Sequence, residues 1–367
     1  RSAVFSYHFF SDLFSKKKME KKRIVFLYTE IAGYFLACVE ELLSKHPVEV
    51  HVIRYAINKE APFKFNFSEN LTVYERGHYN DEQLLRLIDS LSPAVIVCSG
   101  WIDRGYLNVC RQYKAKAVTV LTLDNQWKGT LKQRLATLLS PFYLHKRFSY
   151  CWVPGEFQYT YAQQLGFKEQ FILTGFYSCD FNYFYDQYKV NAQQKQEKFP
   201  KKFIYTGRYV EHKGIKELWK AFIDLEEEFP NEWELWCLGT GTIAPVEHPK
   251  IRHFGFVQPQ DLHTYISQTG VFVLPSYFEP WGVVLHEFAA SGFPLICSTE
   301  AGARTAFVEN NLNGYIYDPT QINELKAAMA KVMKAKSSEL IEMGKKSTEK
   351  AKQITPTSWA NQLIALL

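Results

Sequence analysis

From Arg23 onward, short β-rich runs alternate with stretches of helical periodicity, and this alternation occurs twice, on either side of one polar gap. Ile24 to Leu27 reads as a buried strand, Thr29 to Gly33 as a turn, and Tyr34 to Lys45 as a helix with Phe35, Leu36, Val39, Leu42 and Leu43 on one stripe. Strands follow at Val48 to Tyr55, Leu71 to Tyr74, Ala94 to Cys98, Ala117 to Leu123, Cys151 to Val153 and Phe171 to Leu173, with a helix at Asp81 to Leu91. Residues 185–202 are polar and nearly free of aliphatic side chains, and they read as a linker. The pattern then restarts with strands at Phe203 to Thr206, Trp233 to Leu238, Ile251 to Phe254, Val271 to Leu274 and Pro294 to Ser298. Helices at Ile215 to Phe229, Asp261 to Gln268 and Val283 to Ser291 are interleaved with them. Apolar strands separated by amphipathic helices require a parallel sheet covered on both faces, so the expected class is α/β, with two Rossmann-like doubly wound domains facing a cleft.

A chain of 367 residues is long enough for two such cores. Residues 19–184 form the first domain on this reading and residues 203–355 the second. Residue 1 is Arg and the first methionine is Met19, so residues 1–18 are read as upstream sequence or an artefactual extension. The seven cysteines are scattered, which suits reduced thiols in a cytoplasmic protein better than a disulfide framework or a zinc knuckle. No run of 18 apolar residues is present to span a bilayer. The aromatic share of 16 % either fills two cores or marks a surface that grips sugars or a membrane.

The second domain opens with Tyr205-Thr206-Gly207-Arg208, and Lys213-Gly214 precede a helix. Two cations five residues apart at the mouth of a sheet can converge on one diphosphate, although solvated loop charges fit the same pattern. A denser signal runs from Pro275 to Pro294, where a strand ends at Leu274 and a helix begins near Gly282. The free amides at that helix start suit an anion. Glu279 stands ahead of the helix and Glu287 lies inside it. A carboxylate there can accept two ribose hydroxyls, while a helix-start acid and a surface acid are the plainer alternative.

The Glu279-x7-Glu287 spacing, with Gly207-Arg208, Lys213-Gly214, Gly239-Thr240-Gly241 and the Pro-Ser-x-x-Glu-Pro run, resembles the family 4 glycosyltransferases of the GT-B fold. The resemblance is dense from about 203 to 319 and sparser before it. It implies that Arg208 and Lys213 neutralise a donor diphosphate, that Glu287 binds the donor ribose and that Glu279 contacts the transferred sugar. It also implies that Gly282 and Val283 offer backbone donors, that Phe256 and Val257 lie along the base, and that Gly207, Gly239 and Gly241 line the same pocket. The implied activity is a retaining transfer of sugar from a nucleotide-sugar donor to a hydroxyl acceptor, by same-face attack in which the leaving phosphate takes the acceptor's proton. The nucleotide sugar is then a substrate, and no cofactor is expected. No Asp-x-Asp occurs, and cations with helix amides can stabilise the leaving diphosphate without a metal. Residues 356–367 are expected to cross back to the first domain as a helix.

The first domain departs from that family pattern in two places. The turn after the first strand has one glycine, Gly33, followed by Tyr34; these are placed at the acceptor side, with a turn leading into a helix as the plainer alternative. Where many relatives have a His at the end of the strand at 117–123, this chain has Asp124, followed by Trp127. Asp124 is a candidate to bond a donor hydroxyl or to cap a helix, and Trp127 a candidate to stack on a sugar. Of the rings, Tyr34, Trp101, Trp127, Phe278 and Trp281 border the proposed cleft.

Between residues 125 and 155, Lys128, Lys132, Arg134, Lys146 and Arg147 occur without an acid, among Leu131, Leu135, Leu138, Leu139, Phe142 and Tyr143. A helix packed on the sheet and a helix lying on an anionic membrane surface both fit. The second reading implies a lipid-linked or growing-glycan acceptor in cell-surface polysaccharide synthesis and a peripheral enzyme on the cytoplasmic face. Nucleic acid is excluded as a partner by the lack of a recognition module. The alternatives are another GT-B enzyme, an epimerase or a phosphorylase, and a non-catalytic nucleotide-sugar-binding protein.

Overall fold

The computed structural model describes residues 21–56 and 67–367. The extension read at 1–18 and the proposed start at Met19 lie outside the described residues. The first half runs β1 (Lys22–Leu27), α1 (Gly33–Lys45), β2 (Val48–Arg54), β3 (Leu71–Glu75), α2 (Asp81–Leu91) and β4 (Val95–Ser99). It continues through α3 (Arg104–Tyr113), β5 (Val118–Thr122), α4 (Leu131–Tyr143), β6 (Tyr150–Trp152), α5 (Glu156–Gln164) and β7 (Ile172–Leu173). These strands form a seven-stranded sheet in the order β3-β2-β1-β4-β5-β6-β7, with every pairing parallel.

After α6 (Phe181–Glu197) the second half runs β8 (Lys202–Thr206), α7 (Ile215–Glu228), β9 (Glu234–Leu238), β10 (Ile251–His253), α8 (His263–Ile266) and β11 (Val271–Leu274). It closes with α9 (Val283–Ala290), β12 (Leu295–Ser298), α10 (Arg304–Phe307), β13 (Gly314–Tyr317), α11 (Ile322–Lys334), α12 (Ser337–Ala351) and α13 (Pro356–Ile364). The second sheet is β10-β9-β8-β11-β12-β13, again parallel throughout. In both sheets the strand order reverses beside the first strand, at β1/β4 and at β8/β11. Such a switch point leaves a crevice at the carboxyl ends of the strands.

Each sheet is sandwiched between two apolar layers. The expected inward rings Phe203, Phe222 and Phe272 are fully buried, and Phe272 stacks on Phe288 of α9 at 4.2 Å. Much of the aromatic content is therefore core, worth about 1.5–3 kcal/mol for each fully buried large side chain.

Two expectations change. The polar stretch 185–202 joins the sheets, but most of it is α6, which packs on α9 and α12 of the second half. Its buried face carries Phe181, Phe184, Asn191 and Lys195 in place of aliphatics, so a composition shift resembled a loop. The helix expected at Asp261 to Gln268 splits into a 3-10 turn, Pro259–Asp261, and the single turn α8. The chain then rejoins the sheet through Gly270, where a Cβ would lie 2.2 Å from the Pro200 carbonyl. The expected return to the first half is present: α13 packs on α1, and Trp359 lies between Phe26 and Trp152 at 5.9 and 5.2 Å.

Candidate active site

The crevice between the sheets holds a cavity of about 990 Å³. From the first domain it is lined by Ala32, Gly33 and Tyr34, which follow β1. From the second it is lined by Gly207 and Arg208 after β8, by Gly239 and Gly241 after β9, by Phe256 and Val257 after β10, and by Val283 and Glu287 of α9. Ten of the residues singled out from sequence thus share one cavity. Gly33 has nothing within 4 Å above its Cα, so its backbone is open to close approach. Gly239 is required for a different reason: at φ +147° a Cβ there would lie 1.9 Å from the Gly207 carbonyl, and the turns after β8 and β9 could not meet.

Lys213 and Glu279 stand next to this wall as an ion pair, with Lys213 Nζ donating to Glu279 Oε2 at 2.5 Å. Both side chains are largely buried, and the Ser276 hydroxyl also reaches the carboxylate at 3.4 Å. The two loops are fastened by backbone: the His212 carbonyl accepts from the amides of Tyr277 and Phe278. Arg208, at the cavity wall, adds a cation, and its carbonyl takes a hydrogen bond from the Tyr205 hydroxyl.

Gly282 turns the chain into α9 with φ +92°, and a Cβ there would press to 2.9 Å from Glu279 Cγ. It is needed both for its backbone angle and for the space beside Glu279. No side chain caps α9, so its first amides remain available to an anion. One turn further on, Glu287 keeps part of its surface on the cavity while protein packs around its carboxyl group. Burial, reinforced by the charge of Asp180, pushes that group up to about 7. Asp180 lines the same cavity and caps α6 by accepting from the Tyr183 amide at 3.2 Å; burial raises its pKa too. Sequence reading did not find Asp180, although an Asp ahead of Phe181 was a capping signal.

Asp124 lies at the end of β5, outside the cavity wall but near it. The Tyr177 hydroxyl donates to its Oδ2 at 3.3 Å, and burial raises its pKa while that bond opposes the rise. Asp124 caps no helix, because α4 starts at Leu131 under Thr130. Trp127 does not face the cavity: it packs on Tyr161 at 5.4 Å in the first core, as Trp101 does at 6.3 Å. Trp281 is 2 % exposed and belongs to the second core. Burial of indole next to a fully apolar layer outweighs its use as an open sugar platform. Of the five rings expected at the cleft, Tyr34 lines it and Phe278 is exposed on the Glu279 loop.

Helix α4 buries only Ser140. Leu131, Leu135, Leu138, Leu139, Phe142 and Tyr143 are all exposed, Leu138 and Phe142 by 72 and 71 %. Among the described residues no helix is long and apolar enough to cross a membrane.

The family described as glycosyl transferases group 1 matches residues 186–353. The lipopolysaccharide 1,6-galactosyltransferase of Salmonella typhimurium is 24 % identical over 293 residues, 75 % of each protein. Sucrose-phosphate synthase from Thermosynechococcus elongatus superposes over 94 % of this chain and 98 % of its own, with a TM-score of 0.70 and 17 % identity. Anabaena HepE in complex with UDP does so over the same shares, with a TM-score of 0.71 and 15 % identity.

Proposed function

We propose that the chain is a group 1 glycosyltransferase built on the GT-B fold and that it moves a hexose from a nucleoside-diphosphate sugar to a hydroxyl of a glycan or lipid-linked acceptor, with anomeric configuration retained. The observation that carries this reading is the cavity between the sheets, whose lining includes Arg208, Val283 at the uncapped start of α9 and Glu287. Ribose hydroxyls donate to Glu287. The diphosphate lies between Arg208, Lys213 and the start of α9, where Gly282 and Val283 offer amides.

Departure of the nucleoside diphosphate builds negative charge on the leaving oxygen. Cations and amides already fixed there stabilise the transition state more than the ground state, so they raise the rate and not only the affinity. This set can do the work that a divalent cation does elsewhere, so transfer should continue in the presence of a chelator. Glu279 receives the transferred sugar rather than attacking it: its carboxylate is held by Lys213, which suits an acceptor of sugar hydroxyls better than a nucleophile. Asp124, bonded to Tyr177, faces a sugar hydroxyl from the first domain. Acceptor attack then comes from the face the diphosphate leaves, and the departing phosphate takes the proton.

The acceptor class follows from α4 and from the galactosyltransferase relative, whose name ties it to lipopolysaccharide. The apolar face of α4 with Lys132, Arg134, Lys146 and Arg147 near it suits an anionic membrane surface, where a lipid-linked glycan would be presented. The test is a thermal-shift panel of nucleotide sugars that includes UDP-galactose and UDP-glucose, followed by release of UDP with and without lipid-linked glycan. A bound donor raises Tm by mass action. A panel with no stabilising nucleotide sugar would overturn the reading, and epimerised donor without acceptor would replace it with an epimerase.

A further inference from the structure

Two buried glutamines of the first domain end on the loop that carries Glu279. Gln126 is 6 % exposed, and its Nε2 lies 3.2, 3.3 and 3.3 Å from the carbonyl oxygens of Glu279, Pro280 and Glu300. Gln158, in the first turn of α5, is fully buried. Its Nε2 donates to the Pro280 carbonyl at 2.5 Å and to the Asp124 carbonyl at 3.0 Å. A carboxamide nitrogen carries two hydrogens, so Gln158 serves both acceptors at once. One side chain therefore spans the loop of Asp124 and the loop of Glu279.

We propose that Gln126 and Gln158 are positioning residues for transfer, setting Asp124 of the first domain in register with Glu279 and the start of α9 in the second. The inference rests on reading the cleft as a transferase site. The Glu279 loop is already tied within its own domain, where the Gly302 amide donates to the Glu279 carbonyl at 3.0 Å and the Ala303 amide to the Trp281 carbonyl at 2.9 Å. The glutamines reach the same stretch from the opposite side, so the loop is fixed from both domains. Contact is close as well as polar: a Cβ on Gly155, just before α5, would fall 2.4 Å from the Trp281 ring. Gln158 Oε1 and Trp281 Nε1 are a buried acceptor and a buried donor without protein partners, so this seam holds unused bonding capacity for a tighter approach.

The cavity residues assigned to the donor's diphosphate and ribose, Arg208, Val283 and Glu287, all belong to the second domain. Loss of the glutamine contacts therefore leaves donor affinity in place and removes the alignment between domains, and misplacement by about 1 Å costs on the order of 100-fold in rate. A role in packing alone would lower stability without separating these two quantities.

The experiment compares wild type with Gln126→Met and Gln158→Met, which keep the length and lose the donor. Readouts are UDP release from UDP-galactose or UDP-glucose, donor Kd and Tm. The expected result is a kcat lower by about tenfold or more in each variant, with donor Kd within about twofold. Phe157→Ala is the seam control: its ring carries the Arg304 guanidinium at 5.1 Å, and its loss should lower Tm and leave kcat unchanged. Gln158→Glu supplies rescue without deleting the side chain. Its carboxylate cannot donate but its protonated acid can, so its kcat relative to wild type recovers as pH falls. An unchanged kcat in both Met variants, an equal loss in Phe157→Ala, or a Gln158→Glu profile parallel to wild type would overturn the proposal. A wild type that turns over no nucleotide sugar overturns the transferase reading, and this inference with it.

Discussion

Lys213 donates to Glu279 across 2.5 Å, so the cation assigned to the donor diphosphate is held in place by the acid assigned to the donor sugar. With side chains 16 and 12 % exposed, neither charge is well screened by solvent. Removing one member leaves the other buried and uncompensated, a loss of about 3–5 kcal/mol in comparable pairs. Lys213→Ala and Glu279→Ala should each lower release of nucleoside diphosphate from the donor by about 100- to 1,000-fold. The double variant should lose much less than the product of the two, because each single change disables the same unit. Fully multiplicative losses in the kinetic cycle would mean that the two act independently.

Glu287, raised to about 7 by burial, should make nucleotide-sugar binding depend on pH. Its folded value of about 7 lies above the ordinary 4.5, so the folded protein holds this proton more tightly than the unfolded chain does. Its contribution to stability is fully present below about pH 4.5 and is lost as pH rises through about 7. Ribose binding runs the other way, because only the carboxylate accepts both hydroxyls. From pH 6 to 8 the ionised fraction climbs from roughly one tenth to nine tenths, and nucleotide-sugar affinity should rise about tenfold. Titration calorimetry of wild type and Glu287→Gln checks this. A pH-independent wild-type Kd, or the same slope in the Gln variant, would remove Glu287 from the ribose.

The crossover helix is a stability element of the first domain. Trp359 is 1 % exposed and lies against Phe26, Phe35 and Trp152. Trp359→Ala should cost about 3–5 kcal/mol, since the surrounding rings belong to packed strands and helices and cannot close the cavity. Calorimetry should show the loss in whichever transition reports the first domain. A Tm unchanged within a degree would show that α13 is dispensable there.

What the sequence revealed, and what it hid, follow from where each signal resides. Strands β1 to β12 and the second-domain motifs are readable because apolar runs and loop glycines sit next to one another in the chain, whereas β13 is not among the expected strands. Helix α5 was missed because its buried positions are Gln158, Tyr161 and Ala162, which make no aliphatic stripe. Helix α3 was missed despite a local signal, Asp103 accepting from the Tyr106 amide at 2.8 Å. Eight of the ten cavity residues are legible through second-domain motifs, and Gly33 and Tyr34 through the turn after β1. Asp180, Tyr177, Gln126 and Gln158 are not, because their importance depends on partners far along the chain, such as Pro280 facing Gln158. Trp127 and Trp281 were assigned to the cleft because proximity in sequence to a loop says nothing about which way an indole turns.

Helix α4 decides whether this enzyme works at a surface. Leu131, Leu135, Leu138 and Phe142 recur at spacings of three and four, so one face of the helix is apolar and open, with Lys132, Arg134, Lys146 and Arg147 near it and no acid between residues 125 and 155. An apolar face alone would suit a second copy of the chain as well as lipid, but a second copy would bring the same cations face to face and repel. Anionic lipid satisfies both features, with each cation near the surface adding about 1 kcal/mol. The protein should therefore co-sediment with phosphatidylglycerol-containing vesicles and only weakly with pure phosphatidylcholine, and added salt should release it. Leu138→Glu with Phe142→Glu should abolish vesicle binding while leaving nucleotide-sugar binding and Tm intact, because neither side chain is part of a core. Equal binding to both vesicle types would remove the electrostatic part of the argument. A wild-type dimer that the Glu variant converts to monomer would assign the face to self-association instead.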